Sequence, residues 1–329
     1  MIITRTPFRI SFAGGGSDLA SFYHRQAGAV LSTTIDKYMY IVIHPFFNKN
    51  KIQLKYSRTE LVDHIDDIVH PIFREVLRAY NLTGVDVNSI ADIPAGTGMG
   101  SSSSFTVGLL NAVRAYLGKY SSAEKLASMA CETEIEKVGS PIGKQDQYAA
   151  AYGGLNFITF YPDENVKVEK VLMKQTVKAK LEHNLKLIYI GGHHDANAIL
   201  KTQAQSIRDD DKFAHQCDMV QLAYKLRDTL QDNNIDDFGY FLNQGWKLKQ
   251  SLASGISNSY INDIYAKGLA SGATGGKLLG AGGAGFILFY VPEDAQEGFG
   301  KLMADYTEMP FNFDNFGSQV IYVGDKFIK

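Results

Sequence analysis

Residues 94–104 read Pro-Ala-Gly-Thr-Gly-Met-Gly-Ser-Ser-Ser-Ser, a glycine loop running into four hydroxyl side chains. Glycine lets a backbone turn sharply and approach a ligand closely. Phe105, Leu109, Val113 and Leu117 then recur at helical spacing. The loop therefore opens a helix, whose first amide protons and positive dipole end suit an anion such as phosphate. Pro94, Gly96, Gly98, Met99, Gly100, Ser101, Ser102, Ser103 and Ser104 are the candidate phosphate-binding residues. The serines are also expected to cap the helix. A strand precedes the loop, because Val85-Asp86-Val87-Asn88-Ser89-Ile90 alternates apolar and polar residues. The same glycines would equally serve a flexible connector. The pattern is neither Walker nor Rossmann: no Gly-Lys-Ser/Thr closes the loop, and its glycines are evenly spaced.

Four other constellations bear chemistry. In Thr6–Asp18, Arg9 and Ser11 alternate with Phe8, Ile10 and Phe12 and so share one strand face. Gly14-Gly15-Gly16-Ser17-Asp18 follows, either a ligand turn flanked by Arg9 and Asp18 or a plain turn capped by Asp18. Glu132, Glu134 and Glu136 lie two apart on a helix end, so one or two at most can face a common site. Gly143-Lys144-Gln145-Asp146-Gln147 is a polar cluster between apolar segments, with Asp146 a general base or a loop cap. His193-His194-Asp195 reads as a substrate-contacting loop rather than a metal site, since no further His or Cys spacing supports zinc. No Gly-x-Ser-x-Gly hydrolase elbow occurs.

The elements that position these residues are a mixture of strands and helices. Ala29–Ile43 reads as one or two strands, Glu60–Tyr80 as a helix, and the stretch from Ser122 as a helix stopped by Gly139-Ser140-Pro141. Leu155–Phe160 and Leu185–Ile190 read as strands, residues 210–232 and 236–250 as long helices. A second glycine cluster, 275–285, introduces the strand Phe286–Val291. Periodicity fades around Lys170–Glu182, which places a domain boundary there: 1–175 and 176–329. The 329 residues carry a formal charge of -2, which argues against a nucleic-acid or polybasic membrane role. Cys131 and Cys217 are too few for a disulfide framework. With no apolar leader or membrane-length run, a cytoplasmic location is expected.

Three motifs in order resemble the GHMP-type small-molecule kinases, which include galactokinase, homoserine kinase, mevalonate kinase and phosphomevalonate kinase. They are Pro7-x-Arg9 through Asp18, Pro94 through Ser104 and Lys277 through Gly285. The triple glycine before Ser17-Asp18 and the string Gly139-Ser140-Pro141-Ile142-Gly143-Lys144-Gln145-Asp146-Gln147 are most similar to the heptose-phosphate kinases of that family. Fucokinase- and galactokinase-like enzymes, or a non-catalytic sugar binder, are the alternatives. The resemblance implies an α+β fold of two domains: an N-terminal mixed-sheet α/β domain that binds ATP and a C-terminal ferredoxin-like domain, with the active site between them. It implies phosphoryl transfer from ATP, with Mg2+, to a sugar phosphate.

Roles carry over by motif position. Asp146 matches the base that takes the acceptor's proton, and Arg9 the cation beside it, which would hold Asp146 ionised. Ser102 and Glu134 match the magnesium residues. Arg9, Gly15, Gly16, Ser17, Asp18, Gln145, Asp146, His193, His194, Gly282 and Gly283 are the expected substrate contacts. The chain departs from its heptose and fucose relatives at Gly191-Gly192-His193-His194-Asp195, where they tend to carry a Thr-Arg string. His193, His194 or Lys201 would then take over a phosphate grip, more weakly than a bidentate arginine. Oligomeric state is open, a homodimer among the options.

Overall fold

The structure is a computed structural model that describes residues 1–192 and 196–324. Its first sheet has nine strands. The path runs Gln319–Val323, Ile2–Ala13, Gly28–Pro45, Val85–Ala91, Ile52–Lys55, Thr59–Val62. The 18-residue strand Gly28–Pro45 organises it. One edge of that strand pairs with Ile2–Ala13. The other pairs first with Asn156–Phe160 and further along with Val85–Ala91. The sequence pattern suggested one or two strands here, and a single long one forms. The sheet is mixed, because Ile52–Lys55 runs parallel to Val85–Ala91.

The second sheet is antiparallel, ordered Thr307–Glu308, Leu185–Gly191, Gly285–Tyr290, Gly275–Leu278. Its two faces alternate as a strand requires. Leu187 and Leu288 point into the main core, which continues beneath the first sheet. Ile188 and Ile287 point the other way, onto Trp246, Ile261, Ile264 and Phe299. Two late segments, Phe313–Asp314 and Gln319–Val323, return to the first sheet. Among the described residues no helix is long and apolar enough to cross a membrane.

Two local expectations need correction. The helix read over Glu60–Tyr80 is confined to Pro71–Ala79, and Thr59–Val62 is a strand. Glu60 explains it: its carboxylate accepts from the Tyr56 hydroxyl at 2.7 Å and from the backbone amides of Val69 and His70 at 2.7 and 3.2 Å. That holds the segment back from helix until Pro71, whose ring suits a first helical position and disfavours helix before it. Secondly, the serines do not cap their helix. Ser101–Tyr116 is capped by Gly100 in a left-handed conformation, without any side-chain hydrogen bond. All four serines lie inside the helix, which leaves its N-terminal amides uncovered by side-chain oxygens.

Candidate active site

A cavity of about 310 Å³ lies where the strand Ile2–Ala13, the glycine loop, the helix Gln145–Tyr152 and the second glycine cluster converge. Arg9 is its best-determined feature. Register shifts in the first strand on either side of Phe8–Ser11 set this stretch at a bend, as bulges near functional sites do. Arg9 Nε donates to Asp146 Oδ1 at 2.7 Å and Nη2 donates to Oδ2 at 2.8 Å, a bidentate pair. Its third nitrogen, Nη1, donates to Gly98 O at 2.6 Å. One guanidinium thus fixes the phosphate-loop backbone and the carboxylate together. Asp146 stands in the first turn of its helix, favourable for an anion.

The loop itself needs glycine at a close approach. Gly98 has φ +79°, and a Cβ there would fall 2.6 Å from Leu279 O. Gly280 has φ +70°, and its Cβ would fall 2.3 Å from Gly98 Cα. The two glycine clusters therefore pack backbone to backbone, and side chains at either position would force them apart.

Glu134 sits behind the loop. It lies on a π-helical turn, Glu132–Lys137, that continues the helix Ala123–Cys131. Such turns redirect side chains and recur at functional sites. The turn leaves Glu132 exposed and buries Glu134 to 1% exposure, which selects one carboxylate of the three. Ser102 Oγ donates to Glu134 Oε1 at 2.5 Å, and Gln147 Nε2 donates to Oε2 at 2.8 Å. Burial pushes the Glu134 carboxyl above its usual range, against the pull of these donors.

Asp18 is also buried. Its carboxylate accepts from the Gly16 amide at 3.0 Å and from the backbone and side chain of Gln145, both at 3.2 Å. Burial raises its pKa, and the neighbouring Asp146 charge adds to that. Gly15, Gly16, Gly96, Gly100, Ser101, Ser103, Gln145 and Ser102 join Arg9, Asp18 and Asp146 on the cavity wall.

Other anticipated residues lie elsewhere. Ser17 is buried, its hydroxyl bonded to Ala29 O and to the Ala29 amide. Ser104 Oγ donates to Pro7 O inside the core, and Met99 is fully buried. Pro94, Gly282 and Gly283 do not line the cavity, whereas Gly280 and Ala281 do. His193 and His194 lie outside the described residues.

Lys249, Leu200 and Gln203 line the cavity without having been singled out, and Ser11 and Lys277, noted only on the Arg9 strand face and at the start of the third motif, line it too. Lys249 had a signal. Phe238, Leu242, Trp246 and Lys249 recur at steps of four, four and three residues, so this lysine falls on the buried stripe of its helix. Gln203 had none, because the polar helix Ala196–Ser206 shows no clear face.

The residues present suit a hard divalent cation. Glu134 is a deeply buried carboxylate whose hydrogen-bond donors, Ser102, Ser103 and Gln147, are neutral, and Ser102 adds a hydroxyl oxygen. Magnesium is commonly held by one or two such oxygens, with substrate phosphates and water completing the shell.

Residues 67–154, which include the glycine loop, Glu134 and Asp146, match the family model described as the GHMP kinases N terminal domain. The chain is 28% identical over 303 residues to the D-glycero-alpha-D-manno-heptose 7-phosphate kinase of Campylobacter jejuni, covering 88% of this chain and 89% of that one. It is 25% identical to the bifunctional fucokinase/GDP-fucose pyrophosphorylase of Arabidopsis thaliana, over 88% of this chain and 30% of that longer protein. In fold it is similar to the crystal structure of a D-glycero-D-manno-heptose 1-phosphate kinase from Bacteroides thetaiotaomicron. There the TM-score is 0.81 at 24% identity, covering 99% of this chain and 100% of that one. The family match over residues 67–154 and the whole-length sequence relatives point the same way: the chain carries a segment similar to the GHMP kinases N terminal domain and is similar over most of its length to named sugar kinases, and its two-sheet fold is similar to that of a heptose-phosphate kinase.

Proposed function

We propose that this enzyme transfers the γ-phosphoryl group of ATP to the anomeric hydroxyl of D-glycero-D-manno-heptose 7-phosphate, giving the 1,7-bisphosphate, a precursor of nucleotide-activated heptose for surface polysaccharide. The observation that carries the reading is the bidentate Arg9–Asp146 pair at the foot of a glycine-capped helix N-terminus. Phosphoryl transfer asks for positioning and charge neutralisation more than covalent chemistry, and this constellation supplies both. The heptose-phosphate kinase of Campylobacter jejuni, similar over nearly the whole chain, supports the choice of acceptor.

In the proposed step the acceptor oxygen attacks the γ-phosphorus while the bond to the β,γ-bridging oxygen breaks, releasing ADP. The acceptor proton passes to Asp146. A carboxylate has about four lone-pair sites, so the two Arg9 hydrogen bonds leave room to accept it. Arg9 holds the carboxylate still and places positive charge where the transferred group passes. Ser101–Ser103, at the N-terminus of their helix, line the cavity, and their backbone amides would donate to the phosphate oxygens. Ser102 and Glu134 would hold Mg2+, whose charge offsets that of the phosphates when bound. Asp18 and Gln145, locked together by hydrogen bonds, are placed to orient the sugar hydroxyls.

ADP release measured over a panel of sugars and sugar phosphates tests the reading. The expected result is turnover of the heptose 7-phosphate well above that of any unphosphorylated sugar. Strong turnover of fucose with none on the heptose phosphate would overturn the choice of acceptor in favour of a fucokinase-like enzyme, the activity named for the Arabidopsis thaliana relative.

A further inference from the structure

Among the described residues three basic side chains line the cavity, and of these Arg9 alone has a carboxylate partner. Arg9 is matched by Asp146. Lys249 is 7% exposed and Lys277 6%, and both line the cavity. Lys277 Nζ donates to Phe12 O at 3.2 Å, and Lys249 Nζ donates to Gly280 O. Neither forms an ion pair with a carboxylate among the described residues. A carbonyl satisfies one of an ammonium's three protons and none of its charge. Buried ammonium groups without a counter-charge are costly, and lysines rarely occur fully buried unless paired.

Two neighbours mark the same place as a receptor. Ser11 Oγ lines the cavity, is buried and has no hydrogen-bond partner among the described residues. Gly280, which anchors Lys249, packs directly on Gly98, whose carbonyl accepts from Arg9. The lysine therefore stands beside the phosphate loop.

We propose that Lys249, backed by Lys277 and by the Ser11 hydroxyl, is a second anion receptor that binds a phosphoryl group in the cavity shared with the helix N-terminus at Ser101–Ser103. The ligand chemistry is a phosphate oxyanion, supplied either by the acceptor's own phosphate or by the transferring group of ATP. The assignment rests on the kinase reading above but not on which sugar is the acceptor.

The electrostatics are consistent with it. Burial, and then the charge of Arg9, lower the Lys249 pKa to about 8, while Asp18 and Asp146 oppose the fall. Burial lowers Lys277 well below the usual lysine range, with Lys249 and Arg9 adding to it. An arriving phosphate dianion relieves that repulsion. A neutral or carbonyl-bearing ligand would not.

The test is calorimetric binding of inorganic phosphate and of a non-hydrolysable ATP analogue to the wild type, Lys249→Met and Lys249→Arg. Methionine keeps the length and apolar contacts of the lysine stem and removes its charge, a change the fold should tolerate. Loss of charged hydrogen bonds to phosphate is expected to weaken binding by about 10- to 100-fold in Lys249→Met, with partial recovery in Lys249→Arg. If phosphate still binds wild type saturated with the ATP analogue, and Lys249→Met abolishes that, the receptor serves the acceptor's phosphate. If the analogue excludes phosphate and itself binds Lys249→Met more weakly, the receptor serves ATP. Unchanged affinity for both probes in Lys249→Met overturns the proposal and leaves Lys249 a structural tie to Gly280. The sugar panel fails or succeeds independently, since neither probe contains a sugar acceptor.

Discussion

Asp146 keeps a quarter of its side chain exposed and lies against the Arg9 guanidinium at 2.7 Å. Glu134, behind the loop rather than on the cavity wall, is 1% exposed and is met by a serine hydroxyl and a glutamine amide. One carboxylate has a full counter-charge from the protein. The other has only neutral donors, and burial raises its pKa. In the proposed step Asp146 would act as the base with its counter-charge already in place, while a charge on Glu134 would be costly until a cation reached it. On that reading the two carboxylates would divide proton transfer and cation binding between them by environment.

The largest break in that comparison is expected from Asp146→Asn. The amide keeps the shape and loses the basicity, so turnover on the best acceptor should fall by about 100- to 10,000-fold, the usual worth of a general base. A steady-state assay beside a melting curve checks it, because a folded but inactive variant is the expected outcome. Near-wild-type turnover would remove the proton-transfer role from Asp146.

This division was partly legible in the sequence. The loop at 94–104, the strand before it and the helix after it could be read because glycine and apolar spacing are local signals. Asp146 stood out as a polar residue after a turn. The residues alone left open which of Glu132, Glu134 and Glu136 faces inward, and only the family resemblance picked out Glu134. An α-helical count scatters them, and the π-helical turn at Glu132–Lys137 that decides the matter follows from packing rather than from any residue's own preference. Serine capping was misjudged for a similar reason. Gly100, reaching a left-handed conformation, takes the cap position, and the hydroxyls of Ser102 and Ser104 go to partners 32 and 97 residues away. Lys249 lay on an apolar stripe, yet its helix meets the cavity only through the pairing of two distant glycine clusters.

A second variant sharpens the contrast by stability rather than activity. A carboxyl whose folded pKa is raised contributes stability below its unfolded value, near 4.5, and loses that contribution as pH rises through the folded value. In metal-free buffer the wild type should therefore melt progressively lower than Glu134→Gln as pH is raised from 4.5 toward 8. Added Mg2+ should restore the wild type and leave Glu134→Gln unmoved. Parallel pH profiles for the two proteins would mean that Glu134 carries no buried charge to be offset.

Ser102→Ala is the smallest expected effect and separates two roles of one hydroxyl. Ser102 is exposed to the cavity, so water can replace its hydrogen bond to Glu134 Oε1 while Gln147 continues to serve Oε2. The stability cost should be about 1 kcal/mol or less. If Ser102 is only a donor to Glu134, nothing else should change. If it also holds Mg2+, the magnesium concentration for half-maximal activity should rise several-fold, since a ligand oxygen has been removed from a cation that uses few protein ligands. Ser104→Ala is the matched control. That hydroxyl donates to Pro7 O and is shielded from the cavity, so its loss should lower the melting temperature and leave the magnesium requirement alone. An unchanged requirement in both variants would assign the cation to Glu134 without Ser102, and the two serines of the loop would then differ only in burial.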